Sequence, residues 1–203
     1  MRAGLLLAAL AGAVLVTMPA IVSADTPKPS VPVDSVPAAI GDGGGNAEHA
    51  TTTFGGAFTL TSSTGLIISC NSSEGITFHE DGTAESTSFT ASSCTTNVPG
   101  CTASITSTTK WWMRAIRKVG SGVWHVAKNV KVTVTLGGGC PVSGSFDESG
   151  LLTPTISISG GVATITYSGS SSGSVSGPIG SATFSGTLTS SSGIGSDTQL
   201  VEL

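Results

Sequence analysis

Apolar and polar residues alternate along most of the chain that follows residue 46. The clearest alternation runs over Val123–Leu136, where one face is formed by Trp124, Val126, Val130, Val132, Val134 and Leu136. Lys128 is the one charged residue on that face, and more polar residues such as His125 and Asn129 occupy the other. A β-strand with one face in the core has this period of two. We therefore predict that Val123–Leu136 is a core strand.

The preceding segment, Lys110–Val119, is predicted to be the other strand of a hairpin. Gly120-Ser121-Gly122 separates the two segments and supplies a short turn. The alternation is less regular here, because Trp111 lies on one face and Trp112 on the other, so that both faces carry an aromatic ring. An amphipathic helix over residues 110–119 is the alternative, and the glycines would end it.

Ten to twelve short alternating runs follow one another from residue 47 onward, separated by Gly, Ser and Asn. Asp81-Gly82 and Gly160-Gly161 are two-residue turn signals, whereas the Ser/Gly-rich segment Ser168–Gly177 is predicted to be a long mobile loop. β-branched residues dominate the runs and no segment has a sustained helical period. The chain is therefore predicted to be all-β, an antiparallel β-sandwich or partly closed barrel of about ten strands.

The second half of this region is poor in charge. No charged residue occurs between Glu148 and Asp197, so the predicted strands there have no charged side chains to protect their edges. Exposed strand edges of this kind invite pairing between molecules. We therefore expect that the sheet closes or that another part of the chain covers it.

Three segments divide the chain. Residues 1–24 are predicted to be a secretory signal, with one basic residue, the apolar run Leu5–Val16 and small residues before a cleavage point after Ala24. A retained membrane anchor is the alternative, although the run is shorter than the ~20 residues that span a bilayer. Residues 25–45, with four prolines and a glycine run, are predicted to be a disordered linker. Residues 46–203 are predicted to form a single β-sandwich domain.

Charge and hydropathy limit the partners. The net charge is −4 and becomes −5 without Arg2, which argues against nucleic-acid binding. No second apolar run approaches the length of a transmembrane helix, so we expect no transmembrane segment after signal cleavage. The sequence leaves the oligomeric state open.

Four cysteines, Cys70, Cys94, Cys101 and Cys140, lie in the predicted mature chain. Export implies an oxidising compartment, and two disulfides are then expected. Four cysteines allow three connectivities, which sequence alone does not resolve. We favour Cys70–Cys94 with Cys101–Cys140, because each bond would link the ends of neighbouring strands. Zinc binding is the competing interpretation, and no pair has the usual two-to-four-residue spacing of zinc ligands.

The candidate binding site is the aromatic and basic cluster of the first hairpin strand, formed by Trp111, Trp112, Arg114, Arg117 and Lys118. One tryptophan of the adjacent pair is expected to anchor the core together with Trp124. The other would then face solvent among the basic residues. Such a patch on an acidic exported protein suits a cell-envelope polymer, an anionic lipid or a glycan. The simpler interpretation is a core tryptophan with solvated basic neighbours.

Catalytic and metal motifs are weak. Gly169–Gly173 matches G-x-S-x-G, but no helix pattern and no histidine follow it, as a nucleophile elbow requires. His79, Glu80 and Asp81 are adjacent, and neighbouring residues on a strand point to opposite faces. The same argument separates Asp147 from Glu148. We predict no catalytic residues, no metal site, no cofactor and no enzymatic activity.

A series of features recurs in a known group of proteins. It consists of a signal peptide, the apolar strand Leu66–Cys70, the strand Thr83–Ser93 ending at Cys94, a tryptophan segment, the strand Val130–Val134, and then Cys140. This order resembles small secreted β-rich proteins of actinobacteria and, more distantly, the bacterial activators of alkane oxidation. The resemblance covers about residues 52–190. It implies an extracellular protein that assists contact with hydrophobic substrates without enzymatic activity.

The predicted function is therefore that of a non-enzymatic secreted or cell-envelope-associated binding or structural protein that contacts hydrophobic or cell-surface ligands. One alternative is a carrier for an apolar small molecule, which requires an interior cavity of several hundred Å³. The other is a secreted hydrolase without a recognisable motif. It would have to gather Asp147 and Glu148 with His79 or His125 in one cleft.

Overall fold

The computed structural model describes residues 38–41, 49–107, 110–120, 122–191 and 199–202, with only the backbone described at positions 38, 41, 116, 117, 199, 201 and 202. The predicted signal peptide, residues 1–24, and most of the predicted linker, residues 25–45, lie outside this part of the chain. Within it, strands and tight turns account for nearly all of the backbone, and one short 3-10 turn lies at Gly169–Ser172.

The described ranges contain thirteen strands, all paired antiparallel. They are β1 Ala38–Gly41, β2 Ala50–Ser62, β3 Ile67–Phe78, β4 Thr83–Thr96, β5 Cys101–Thr106, β6 Trp111–Gly120, β7 Val123–Gly138, β8 Gly144–Leu152, β9 Thr155–Ser159, β10 Val162–Ser168, β11 Gly173–Gly177, β12 Gly180–Ser190 and β13 Gln199–Glu202.

Eleven of these strands form one sheet that closes partly on itself. Its hydrogen-bonded order is β10-β9-β7-β5-β4-β3-β2-β12-β11-β8, and β6 pairs with both β4 and β7. Two further pairings, β10 with β12 and β7 with β8, turn this path into a ring. The shortest pairing is between β4 and β5, which share the single register pair Thr90 and Thr106. The predicted antiparallel all-β fold, between a sandwich and a partly closed barrel, is confirmed.

The central element of the ring is β7. One edge of this strand pairs with β6 over Val123–Lys128 and with β5 over Thr133–Gly138. The other edge pairs with β9 near Trp124 and then with β8 as far as Leu136. The predicted hairpin of β6 and β7 is confirmed, and β6 is a strand rather than the alternative helix.

The core lies inside the ring. Alternate residues of β7 point inward and are almost completely buried, as the sequence alternation predicts. They meet inward residues of the facing strands, including Phe54, Phe58, Ile68, Ile76 and Leu188. Burying a large apolar side chain contributes about 1.5–3 kcal/mol, and this packing is what holds the curved sheet around its interior. The outward residues are largely Ser, Thr and Gly.

Both disulfides have the predicted connectivity. Cys70 is bonded to Cys94 between β3 and β4, and Cys101 is bonded to Cys140 between β5 and the end of β7. The described part of the chain contains no free cysteine. Two disulfides are typical of a protein that folds in an oxidising compartment outside the cytosol.

The prediction of a loop over Ser168–Gly177 is wrong. After the turn at Gly169–Ser172 the chain forms β11, which pairs with β8 on one edge and with β12 on the other. Val175 at its centre is completely buried. Composition indicates only the low strand propensity of Ser and Gly. In the folded chain, backbone hydrogen bonds on both edges and the burial of one side chain outweigh that propensity.

The two terminal strands pair with each other. β1 lies within the predicted linker, and its residues Ala38–Gly41 pair with β13 in a separate two-stranded sheet. Ile40 is 1% exposed and lies beside Leu200 and Met113. The part of residues 25–45 that the structure describes is therefore attached to the domain, because the side chain of Ile40 packs into its core.

Candidate functional site

The centre of the ring holds a buried ion pair. Lys128, the charged residue on the inward face of β7, places its Nζ atom 2.7 Å from both carboxylate oxygens of Glu74 on β3. The hydroxyl oxygen of Tyr167 on β10 accepts a third hydrogen bond from Nζ at 2.9 Å. The ring of Trp111 lies with its centroid 5.0 Å from the same ammonium, within the range of a cation–π interaction. Each of the three ammonium protons thus has an acceptor.

This environment favours the charged form of the lysine. Burial by itself would lower the pKa of Lys128, but the negative charge of Glu74 and the hydrogen bonds from Glu74 and Tyr167 outweigh it, and the pKa is raised above its ordinary value. The pKa of the Tyr167 hydroxyl is also raised, because burial disfavours the phenolate more than the nearby ammonium stabilises it. Lys128 and Tyr167 therefore both stay protonated to a higher pH than they would in the unfolded chain.

The ion pair also fills the space in which an interior ligand would bind. Glu74, Trp111 and Tyr167 line a residual cavity of about 20 Å³, which is large enough for one water molecule at most. A carrier that binds an apolar small molecule inside the ring requires an interior cavity of several hundred Å³. The cavity beside the ion pair is far smaller than this volume, so it does not serve as the carrier site.

A larger pocket opens at one end of the ring. Its volume is about 460 Å³, and its lining consists of Ser62, Thr64, Leu66, Leu136, Pro141, Val142, Phe146, Pro178, Ile179 and Gly180. The lining comes from the β2–β3 turn, the end of β7, the loop after Cys140, β8 and the β11–β12 turn. We call this the end pocket. No charged residue lines it.

The position of the end pocket follows from the strand alternation. Leu136 continues the inward face of β7 to the level of the β2–β3 turn, since it lines the pocket together with Thr64 and Leu66 of that turn. Phe146 pairs with Val134 across β7 and β8 and is only partly buried. Val142 is 48% exposed. The apolar interior therefore reaches the surface here, which gives the pocket apolar walls and an open mouth.

One buried carboxyl group lies next to Ile179, a residue of the pocket lining, without lining the end pocket itself. Glu148 lies two residues after Phe146 on the same face of β8 and is 1% exposed. Its Oε1 accepts a hydrogen bond from the backbone N–H of Ile179 at 3.4 Å. Burial raises the pKa of Glu148, the Ile179 N–H lowers it by a smaller amount, and the neighbouring Asp147 adds a small further rise.

The predicted binding residues are divided between the two faces of β6. Trp111 is buried in the core, and its Nε1 donates a hydrogen bond to the carbonyl oxygen of Lys131. Trp112 lies on the outward face with its ring stacked 6.0 Å from that of His79, and Arg114 Nη2 donates to the carbonyl of Asp81 on the same side. Lys118 is exposed, with Nζ 5.8 Å from the Trp124 ring centroid. The side chain of Arg117 lies outside the described atoms.

The candidate hydrolase residues do not meet. Asp147 and Glu148 point to opposite faces of β8, and Asp147 accepts a hydrogen bond from Thr133 on the outside. Glu148 pairs with Val132, seven residues along β7 from His125, which is about 23 Å at the usual rise per residue. His79 follows the end of β3 that is remote from the end pocket. The structure thus gives no cleft that gathers these groups.

The described residues contain no group of three or more His, Cys, Asp or Glu side chains that could hold a metal ion. Within the same ranges, no helix has the length and apolarity needed to cross a bilayer.

Sequence reasoning missed the acidic residues of the interior. Glu74 has the same parity as Ile76 and Phe78 on β3, and Glu148 has the same parity as Phe146 on β8. An inward position could therefore have been read from the alternation. The partner of Lys128 could not have been identified from the alternation, because Glu74 lies 54 residues away and the order of the strands brings the two together.

Comparison with known proteins gives no match: no protein-family model, no curated protein and no solved structure matches this chain.

Proposed function

We propose that this chain is an exported, non-enzymatic binding protein that holds the apolar part of a small molecule in the end pocket. The observation that carries the proposal is the end pocket itself, an uncharged cavity of about 460 Å³ with aliphatic, proline and phenylalanine walls. This volume falls in the range of small-molecule sites, which are mostly apolar and lie at the open ends of closed sheets.

The energetics favour an apolar ligand. Transfer of apolar surface from water contributes about 25 cal/mol per Å², so a ligand that buries about 200 Å² gains about 5 kcal/mol before the costs of association. The wall residues Ser62 and Thr64 bring hydroxyl groups to one side only. Shape and apolar contact would therefore supply most of the affinity.

The location is part of the proposal. The apolar leader sequence and the two disulfides are consistent with secretion, and the proline-rich sequence after the leader suits a protein that works close to the cell envelope. The resemblance to secreted proteins that assist contact with hydrophobic substrates points to the same class of ligand.

The proposal is tested with a fluorescent apolar probe. The chain from residue 25 onward is titrated with N-phenyl-1-naphthylamine, and we expect saturable enhancement of its emission. Val142→Asp places a charge in the mouth of the end pocket and should weaken binding at least about tenfold. Val162→Asp is the matched control, because Val162 is 45% exposed and does not line the pocket. Absence of binding by the unaltered chain, or equal loss in both variants, would overturn the proposal.

A second candidate function uses the outward face of β6. The stacked rings of Trp112 and His79 lie beside Arg114, and these three residues favour contact with an anionic envelope polymer or lipid. The test is co-sedimentation with isolated bacterial cell walls and with vesicles of phosphatidylglycerol. Trp112→Ala and Arg114→Ala should each reduce the pelleted fraction, and pelleting that neither substitution changes would exclude this surface.

A further inference from the structure

The carboxyl group of Glu148 lies in a space shaped to hold it. Gly177 on β11 has no side chain, and a Cβ atom there would lie 2.7 Å from Cδ and from Oε1 of Glu148. The β11–β12 turn passes over the carboxyl group and supplies the Ile179 N–H. Pro178 and Ile179 of that turn also line the end pocket, as does Phe146 on the same face of β8. The carboxyl group therefore adjoins the pocket wall.

One oxygen of this carboxyl group lacks a donor. Oε2 of Glu148 is buried, and no hydrogen-bond donor of the described residues reaches it. The bond to Oε1 is 3.4 Å long, beyond the usual range of 2.7–3.2 Å for N–H···O hydrogen bonds. Leaving a buried polar atom unsatisfied is unfavourable, and a buried charge even more so. A donor brought to this position would therefore be bound favourably.

We propose that the end pocket binds amphiphiles with an apolar body and a hydrogen-bond-donating end, above all a primary ammonium, and that Glu148 receives this end. The inference rests on the proposed function of the end pocket. The apolar body fills the space between Leu66, Val142 and Phe146, and the ammonium reaches Oε2 past Ile179. Ile179 has to move for this contact to form. Its link to the carboxyl group is one long hydrogen bond, and its side chain is a partly buried part of the pocket wall.

The surrounding charges select against acids. No lysine, arginine or histidine lines the end pocket, and the charge nearest in sequence to Glu148 is that of Asp147. The elements packed against Glu148 contribute Val132, Gly177 and Ile179, none of which titrates. A fatty acid would place its carboxylate beside the Glu148 carboxylate, which has no positive partner in the pocket lining. An alkylammonium would instead form a charge-assisted hydrogen bond with Glu148.

The test compares three ligands of equal chain length. Octylamine, octan-1-ol and octanoate are each used to displace N-phenyl-1-naphthylamine at neutral pH, and we expect affinity to fall in that order. Glu148→Gln should weaken octylamine about tenfold and change octan-1-ol by less than about threefold. Asp147→Asn is the matched control. It removes the neighbouring carboxylate, which is on the outer face of β8, and should change the affinity for octylamine far less than Glu148→Gln does.

The outcomes separate the two proposals. If the probe binds but octylamine is unaffected by Glu148→Gln, or is weakened equally by Asp147→Asn, the role of Glu148 is wrong and the apolar pocket stands. If neither the probe nor any ligand binds the unaltered chain, both proposals fall.

A second measurement needs no substitution. Octylamine stays protonated at every pH below neutrality, so its affinity should decrease as Glu148 becomes protonated, while the affinity of octan-1-ol should not follow the same curve. Parallel curves for the two ligands would also exclude the proposed role, even if Glu148→Gln fails to fold.

Discussion

At the scale of single residues, the interior departs from a plain apolar core at Lys128, Glu74 and Tyr167. A lysine on the inward face of a core strand is costly unless it is paired, and here one carboxylate and one hydroxyl satisfy it completely. Because the partners come from β3, β7 and β10, the cluster connects walls of the ring that are far apart in sequence. A register error in β3 or β7 would leave a buried charge unpaired, and one in β10 would remove the acceptor of the third ammonium proton.

Breaking the pair should be more harmful than replacing all of it. Lys128→Met leaves Glu74 as an unpaired buried charge, and we expect the free energy of unfolding to fall by about 3–5 kcal/mol. The triple variant Lys128→Met, Glu74→Leu, Tyr167→Phe removes every polar group of the cluster. Its free energy of unfolding should fall much less. Urea denaturation of both variants is the measurement. A triple variant as unstable as the single one would contradict this account.

The cluster also predicts the response to alkaline pH. The pKa values of Lys128 and Tyr167 are both raised in the folded protein, from 10.5 and 10.0 respectively, so the folded state retains protons that the unfolded chain releases. Their contribution to stability is therefore complete below about pH 10 and is lost as pH rises through the folded pKa values. Tyr167 is the only tyrosine of the chain, so tyrosinate absorbance reports on it alone.

We expect the folded protein to form tyrosinate only at a higher pH than the same chain in urea. Free energies of unfolding at about pH 9 and about pH 11 should show a steeper loss for the unaltered protein than for the triple variant. Coincident tyrosinate curves for the folded and unfolded chains would show that the Tyr167 hydroxyl is accessible and that the cluster is open.

At the scale of elements, the alternation in β7 carries most of what the sequence reveals about the fold. A period of two identifies the strand, its buried face and its hairpin with β6, because these properties depend only on neighbours along the chain. The alternation does not reveal that β7 has two partners along each edge. It also does not reveal the end pocket, whose lining combines Leu136 with residues of the β2–β3 turn, the loop after Cys140 and the β11–β12 turn. β11 was missed because pairing on both edges, rather than composition, makes it a strand.

The two disulfides should differ in their effect on ligand binding. They span 24 and 39 residues, and each should contribute about 3–4 kcal/mol by restricting the unfolded chain. Cys140 directly precedes Pro141 and Val142, which line the end pocket, whereas neither Cys70 nor Cys94 lines it. Replacing Cys101 and Cys140 by alanine should therefore reduce both stability and probe affinity.

The matched variant replaces Cys70 and Cys94 by alanine. It should lose comparable stability and keep its affinity for N-phenyl-1-naphthylamine at a temperature where both variants remain folded. Equal affinities in the two variants would show that the loop after Cys140 does not depend on its disulfide for its position.

At the scale of the whole molecule, the ring protects the strand edges of the long uncharged segment that follows Glu148. Each of the four strands from β9 to β12 has a partner on both edges, so the uncharged region presents no continuous unpaired edge. The two ends of the ring differ. β1 and β13 lie at the end marked by Val126, whereas the end pocket lies near Leu136, about 33 Å away along β7.

This arrangement predicts that the paired termini can be removed without loss of the binding site. A variant ending at Thr198 lacks β13, so β1 loses its partner strand and Ile40 loses its contact with Leu200. Exposing Ile40 should lower the free energy of unfolding by about 2–3 kcal/mol, and Ile40→Ala in the intact chain should cause a loss of similar size. Probe affinity at the end pocket should stay unchanged in both variants, because the two ends share no lining residue. Unaltered stability in the truncated chain would mean that the β1–β13 pair does not hold Ile40 in the core, and a loss of probe binding would mean that the two ends are coupled through the ring.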